Sequence, residues 1–265
     1  MTTLPSLFIS HGGPNIVLDD MPARRFLEGL SSLVERPKAI VIMSAHFETH
    51  GVTVVTDPKP EMIYDFGGFA PELYRMVYPA PGDPRLAERV IALLDEAGLA
   101  PARLGRRGYD HGTWTPLKLA FPQADIPVVQ ISIDPTRDAR WHYEVGRALA
   151  PLRDEGILVI GSGHITHNLR AVFGVMRAGM RMPPELGARF DSFVAWFAET
   201  LAAGDVEALL DWRARAPFPV DNHPTDEHLM PIFFALGAAG DHAHARRIHE
   251  SREFGFFAYD SYLFN

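Results

Sequence analysis

The chain has 265 residues, of which 47% are hydrophobic and 22% charged, a composition typical of an ordinary globular protein of one large or two small domains. Its formal net charge is −8 at pH 7, and it has no Lys/Arg block, so nucleic acid and anionic membranes are not expected partners. The absence of cysteine excludes disulfides, thiol catalysis and thiolate metal ligands, whereas twelve histidines could supply imidazole ligands.

The first part of the chain predicts two buried strands that each lead to a histidine. The opening residues lack the basic region and long apolar run of a signal peptide, and no later run could span a membrane, so we expect a cytoplasmic protein. Residues 4–10 predict a strand followed by His11 and two glycines, which permit close backbone approach. Residues 39–44 predict a strand buried on both faces, which ends at His46.

The middle of the chain alternates predicted helices and strands around an aromatic, turn-rich segment. Helices are predicted at residues 24–34, 84–97, 117–121 and 141–150, and strands at 51–56, 126–133 and 157–160. The segment between residues 57 and 83, which contains Tyr64, Phe66 and Phe69, is interpreted either as a binding loop or as a rigid surface crossover. This alternation indicates an α/β layered domain.

Two further histidine loops follow these elements. His111 stands beside Asp110 between two glycines, and Asp110 could either orient an imidazole ring or form a turn. A Gly-Ser-Gly turn after the strand at 157–160 is followed by His164 and His167.

The last hundred residues are predicted to be mainly helical. We expect helices at 186–203, 205–214 and 229–239, with Thr225 as a possible cap of the last one and His228 on its first turn. The aromatic run at 254–264 predicts a final strand. No repeat or linker interrupts the chain, so residues 1–265 are predicted to form a single domain.

The histidines recur at predicted strand ends and helix starts. Because strand ends of one sheet converge on one crevice, these side chains are expected to form a site; they are His11, His46, His111, His167 and His228. Their dispersed spacing matches no local metal motif. Imidazole ligands suit zinc, which implies hydrolysis through an activated water, and also ferrous iron, which implies oxygen chemistry. Composition does not decide between these two metals.

Seven short motifs then carry a family resemblance across nearly the whole chain. They are SHGGP at 10–14, SAHFE at 44–48, YDFGGF at 64–69, YPAPGDP at 78–84, DHGTW at 110–114, GSGHITHN at 161–168 and TDEH at 225–228. In this order they resemble the class III extradiol ring-cleavage dioxygenases of the DOPA-dioxygenase type. The resemblance implies a three-layer α/β sandwich with a central mixed, mostly parallel sheet flanked by helices. It also implies cleavage of a catechol by O2 at a non-haem metal.

The resemblance assigns roles residue by residue. His11, His46 and His228 match metal ligands, and His167 matches a residue that is a ligand in one branch of the family and the acid/base in another. His228 stands where that other branch has a glutamate ligand, so both roles stay open for His167. His111 is the second acid/base candidate, and the expected metal is Fe(II), with Zn(II) able to occupy the same site.

Other aromatic residues and histidines are expected outside the metal site. Tyr64, Phe66 and Phe69 are a hypothetical aromatic wall for a flat catechol. His164 and His223 are interpreted as structural, and the others as surface residues: His50, His142, His242, His244 and His249. The rival hypotheses are a zinc-dependent hydrolase or amidase on the same scaffold and a metal-binding interaction protein without turnover. A monomer or small homo-oligomer is expected.

Overall fold

The structure, a computed structural model, describes residues 3–240 and 243–265. Ten strands lie within this part of the chain: β1 (Ser6–Ser10), β2 (Ala39–Glu48), β3 (Thr53–Val55), β4 (Ala102–Leu104), β5 (Val128–Ile133), β6 (Ile157–Gly163), β7 (Ala245–His249), β8 (Arg252–Glu253), β9 (Phe257–Ala258) and β10 (Ser261–Phe264). Eight of them form one sheet in the order β4-β3-β5-β2-β6-β1-β10-β7, and β8 pairs with β9.

The described helices surround this sheet. They are α1 (Pro22–Gly29), α2 (Pro84–Glu96), α3 (His111–Ala120), α4 (Ala139–Leu149), α5 (Leu169–Arg177), α6 (Pro184–Ala203), α7 (Val206–Leu210), α8 (Trp212–Arg215), α9 (Pro219–Asn222) and α10 (Met230–Ala238). Aspartates begin several of them, since Asp83, Asp110 and Asp138 each accept a hydrogen bond from a backbone N–H in the first turn. No helix of the described residues is long and apolar enough to cross a membrane.

The sheet is mixed, with a parallel centre. β1 pairs in parallel with β6, and β2 pairs in parallel with both β6 and β5, whereas β10 and β7 run antiparallel at one side. The carboxyl ends of β1, β2 and β6 therefore lie at the same edge, as predicted from the histidines that follow the three predicted strands.

Alternate side chains of each central strand enter two separate cores, which makes the fold three-layered. Val41 and Met43 pack into the core that contains α2, α4 and α10. Ile40 and Ile42 point the other way, into the core with α1 and α3. Burial on both faces explains why β2 is a nearly continuous apolar run. The α/β class and the layer arrangement predicted from the sequence are confirmed.

Several local predictions were wrong. The helix predicted at 205–214 is split at Asp211 into α7 and α8. The single strand predicted at 254–264 is replaced by two short strands, β9, which pairs with the preceding β8, and β10. The last helix begins only at Met230, with Leu229 as an N-cap that provides no side-chain hydrogen bond, so Thr225 does not cap it and His228 precedes it.

Of the histidines predicted to be on the surface, His142 is fully buried. Its Nε2 accepts the backbone N–H of Asp134 at 3.2 Å, and its Nδ1 therefore donates to the Asp138 carbonyl at 2.8 Å. His249 is half-buried and stacks on Phe26, with ring centroids 4.5 Å apart. His50 and His244 are exposed as predicted. His242 lies outside the described residues.

Candidate functional site

Three histidines from distant parts of the chain meet at the carboxyl edge of the sheet. His11 follows β1, His46 lies in the irregular end of β2, and His228 precedes α10. One ring nitrogen of each lies within 4.8 Å of the others. The Nε2 atoms of His11 and His46 are 3.1 Å apart. Two nitrogens bound at about 2.1 Å to one ion lie roughly 3 to 3.5 Å apart, so this spacing fits a shared metal.

Close backbone packing brings His228 to this edge. A Cβ on Gly163 would lie 2.2 Å from the His228 carbonyl oxygen, which is a steric clash. Only glycine, which has no Cβ, fits at this position. The backbone N–H of His164 donates to the same oxygen at 2.8 Å. The last residue of β6 thus fixes the segment that carries His228 against the sheet.

Oxygen atoms of Ser162 and Glu227 lie next to Nδ1 of two of these histidines, and Ser162 fixes the tautomer of His11. The Ser162 hydroxyl donates to the Gly112 carbonyl at 2.5 Å, so its oxygen must accept from Nδ1 of His11 at 3.0 Å. Glu227 Oε1 lies 3.1 Å from Nδ1 of His228. With Nδ1 protonated, the lone pair is on Nε2, the arrangement found at metal-ligating histidines.

His167 stacks on His228 rather than joining the three-histidine group. Their ring centroids are 3.4 Å apart with an angle of 13° between the planes. Nδ1 of His167 lies 3.7 Å from Glu227, whose carboxylate faces both rings. His167, Glu227 and His228 form a second group of potential ligands.

His111 begins α3 and is held by Asp65. Oδ1 of Asp65 accepts both the backbone N–H of His111 at 3.0 Å and Nδ1–H at 2.9 Å. Oδ2 of the same carboxylate lies 3.6 Å from Nδ1 of His46. Asp110 instead caps α3 and accepts from the Ser44 hydroxyl at 2.7 Å, so it serves the turn and not an imidazole ring.

Burial keeps the clustered imidazoles neutral. Burial lowers the pKa of His11, His167 and His228 well below the usual value for histidine, and neighbouring histidines lower it further. For the same two reasons the pKa of His46 falls to about 4. Burial alone would raise the pKa of Asp65, but its hydrogen bonds and the charges of His111 and His46 lower it to about 2. Neutral imidazoles next to ionised carboxylates are a donor set that fits a divalent cation.

A cavity of about 550 Å³ opens beside these histidines. Four of the five histidines of the predicted site line it, together with Phe66, Phe69, Phe254 and Phe257, whereas His46 is not among the lining residues. The predicted Tyr64 does not line the cavity. Its hydroxyl donates to the Met76 carbonyl at 2.8 Å and its ring meets the edge of Phe66, so it supports the wall from outside.

Sequence reasoning missed the carboxylates and the serine that orient the rings. Asp65 and Glu227 lie inside the YDFGGF and TDEH motifs, next to residues that were singled out, and Ser162 lies in the Gly-Ser-Gly turn. An acidic residue inside a histidine motif was the available signal. Of the two histidines interpreted as structural, His223 is buried and contacts the Ile165 carbonyl at 2.7 Å, but His164 lines the cavity.

Comparison with known proteins agrees with this geometry. The family model for the catalytic LigB subunit of aromatic ring-opening dioxygenase matches residues 7–261. The chain belongs to this family. The protein is therefore an aromatic ring-cleaving dioxygenase of the extradiol type, as its motifs predicted.

Its relatives match over most of their length. The chain is 41% identical to the 4,5-DOPA dioxygenase extradiol of Beta vulgaris, over 98% of this chain and 96% of that protein. It is 42% identical to the 4,5-DOPA dioxygenase extradiol of Escherichia coli K12, over 89% of this chain and 86% of that protein. A crystal structure of an uncharacterised E. coli K12 protein matches with a TM-score of 0.79 and 34% identity, over 98% of this chain and 99% of that one.

Proposed function

We propose that this dioxygenase opens a catechol ring with O2 at a non-haem metal, and that the substrate is DOPA or a related dihydroxyphenyl compound. The observation that carries this proposal is the group of His11, His46 and His228, with ring nitrogens within 4.8 Å of one another, beside an aromatic-lined cavity. The two DOPA-dioxygenase relatives support the substrate class.

His11, His46 and His228 would hold the metal, with Fe(II) as the working ion and Zn(II) able to bind in its place. Ferrous iron would supply the redox coupling between catechol and O2 that zinc lacks. The three neutral imidazoles present lone pairs without first losing a proton. Ser162 fixes the orientation of the His11 ring, and Glu227 that of the His228 ring.

His111 is suited to take a proton from a catechol hydroxyl. Its Nδ1–H is bound to Asp65, which leaves Nε2 as the acceptor, and the carboxylate would stabilise the imidazolium once it forms. The ring lines the cavity and meets the edge of Phe66, with centroids 5.9 Å apart. Its position fits a general base, which could later return the proton to an oxygen of the opening ring.

His167 is better suited to proton transfer than to metal binding, although both roles were open from the sequence. It stacks face to face on His228, and its Nδ1 faces Glu227 at 3.7 Å. We therefore assign His111 and His167 as the acid/base pair, with Phe66 and Phe69 as the aromatic wall of the substrate site.

The experiment is anaerobic reconstitution of metal-free protein with Fe(II) or Zn(II), followed by DOPA, caffeate or protocatechuate in air. A yellow semialdehyde with iron alone supports the proposal. No colour with either metal contradicts it and makes ester and amide hydrolysis by a zinc enzyme the next test. The cytoplasmic location and the assembly as a monomer or small homo-oligomer stay predictions.

The acid/base assignment is tested by two variants of the iron-loaded enzyme. His111→Ala and His167→Ala should each lower kcat by about 10²- to 10⁴-fold, the usual contribution of general acid–base catalysis. The exposed His50→Ala is the matched control and should keep full activity. Normal catechol cleavage by both site variants would show that the assignment is wrong.

A further inference from the structure

One carboxylate that is not part of the histidine cluster lines the substrate cavity. Glu253, in β8, lines the cavity, and it is the only Asp or Glu among the described lining residues. No Lys or Arg is present among those lining residues. The rest of the wall consists mainly of histidines, glycines and aromatic rings, so its side chains offer one carboxylate and no Lys or Arg.

Tyr259 fixes this carboxylate close to the metal-ligand loop. Its hydroxyl donates to Oε2 of Glu253 at 2.8 Å, and its ring occupies the space that a Cβ on Gly12 would need, 2.5 Å away. Gly12 follows His11 directly. Oε1 of Glu253 has no hydrogen-bond partner among the described residues, so it is left to accept from a ligand.

Neighbouring groups do not neutralise Glu253. Arg252 is adjacent in sequence, but its guanidinium donates to Asp260 at 2.6 Å and forms no ion pair with Glu253 among the described residues. His164 packs edge-on against Tyr259 with ring centroids 5.0 Å apart and both ring nitrogens unpartnered.

Aromatic rings complete a surface that suits a cation. Phe254 and Phe257 flank Glu253 in the same hairpin, and both line the cavity. A carboxylate beside aromatic faces is the combination that binds ammonium groups, through an ion pair and cation–π attraction. A substituent that carried only a carboxylate would meet Glu253 as a like charge.

We propose that Glu253 binds the ammonium group of an aminoalkyl substituent on the catechol ring, so that cationic catechols are preferred over neutral and anionic ones. The inference rests on the proposed catechol cleavage and assigns Glu253 as a specificity-determining residue of that site. Tyr259 is its positioning residue.

The test compares three catechols of similar length with the iron-loaded enzyme: dopamine (cationic), 4-ethylcatechol (neutral) and 3,4-dihydroxyphenylacetate (anionic). We expect kcat/KM to fall in this order, with dopamine about tenfold above 4-ethylcatechol, mainly through KM. Glu253→Gln keeps a hydrogen-bond acceptor for Tyr259 but should reduce that ratio to about one. Glu250→Gln, an exposed neighbour that pairs with Arg247, should keep the wild-type ratio.

Added salt provides a second measurement that needs no variant. It should lower the dopamine preference of the wild-type enzyme, because the ion pair is screened. Equal kcat/KM for the three catechols, or an unchanged ratio in Glu253→Gln, would overturn the assignment of Glu253 while catechol cleavage stands. If no catechol is cleaved, the proposed function fails, and calorimetric titration of the metal-loaded protein still decides the preference: dopamine must bind about tenfold tighter than 4-ethylcatechol.

Discussion

Individual carboxylates determine how the imidazole rings of this site can act. Asp65 binds Nδ1 of His111, and Glu227 faces Nδ1 of His167 and His228. The carboxylates therefore favour a proton on Nδ1, which leaves the lone pair of Nε2 free. Both carboxylates lie in irregular loops that pack on the sheet edge. The chemistry therefore depends on residues that bind neither metal nor substrate in the proposed reaction.

Asp65→Asn should lower kcat about 10- to 100-fold while metal content stays near that of the wild type. The amide cannot stabilise the His111 imidazolium as the ionised carboxylate does, and loss of such an outer partner commonly has this size of effect. Steady-state kinetics and metal analysis of the purified protein provide the measurement. Glu72→Gln, an exposed acid in the same loop, is the control. Unchanged kcat in Asp65→Asn would contradict this role.

His142 should make the fold sensitive to acid. Burial lowers its pKa from 6.5 to about 4 in the folded state, so the unfolded chain binds more protons between these values. Stability is then unaffected by His142 above about pH 6.5 and is lost as pH falls toward 4. The His142→Gln side chain can still accept and donate hydrogen bonds but does not titrate. Its free energy of unfolding should therefore fall by about 2 kcal/mol less than that of the wild type between pH 7 and pH 5.

Urea unfolding at the two pH values measures this difference. His50→Gln is the matched control, because His50 is exposed and should titrate alike in both states. A His142→Gln variant with the same pH dependence as the wild type would show that His142 is not the source of acid sensitivity.

At the scale of elements, β6 positions the site through its small residues. Ser162 contacts His11, and Gly161 and Gly163 allow the segment that leads into α10 to approach the strand. A Cβ on Gly161 would lie 1.9 Å from the Pro231 carbonyl oxygen. The absence of a Cβ at Gly161 and Gly163 is thus a condition for His228 to reach the sheet edge.

Gly163→Ala should push the His228 segment away from β6. We expect about 1–3 kcal/mol lower stability from overpacking, together with weaker metal binding. Gly174→Ala in α5, where nothing lies within 4 Å of the new Cβ, should be neutral or slightly stabilising. Denaturant unfolding and metal titration distinguish the two variants. Wild-type metal affinity in Gly163→Ala would contradict the role assigned to this glycine.

For the molecule as a whole, a bound ion would link segments from both ends of the chain. His11 and His46 lie near the amino end and His228 near the carboxyl end, and the β1–β10 pairing also joins the two. A ligand that binds only the folded state stabilises it by an amount set by its concentration and affinity.

Metal removal should therefore lower the unfolding temperature. At a free metal concentration of 100 times Kd the stabilisation is about 2.7 kcal/mol, and chelation should abolish it reversibly. Thermal unfolding with Zn(II), Fe(II) under anaerobic conditions, or chelator measures this effect. His228→Ala should unfold at the same temperature with and without metal. An identical transition for wild-type protein under all conditions would exclude binding at this site.

The sequence alone determined the layered α/β fold and the edge at which the histidines meet. Short apolar runs such as residues 39–44 and 157–160 are typical of buried strands, and the residues that follow parallel strands share one edge. The family motifs added the activity, since they occur in order along nearly the whole chain.

Only the tertiary structure decided which side chains face one another. Asp65 and Glu227 lie in irregular loops and Glu253 in the two-residue strand β8, so no periodic pattern could predict their distances to His111, His228 or the cavity. The burial of His142 likewise depends on contacts between separate elements. Side-chain partners, tautomers and pKa values arise from these non-local contacts, whereas strands and helices follow from local patterns.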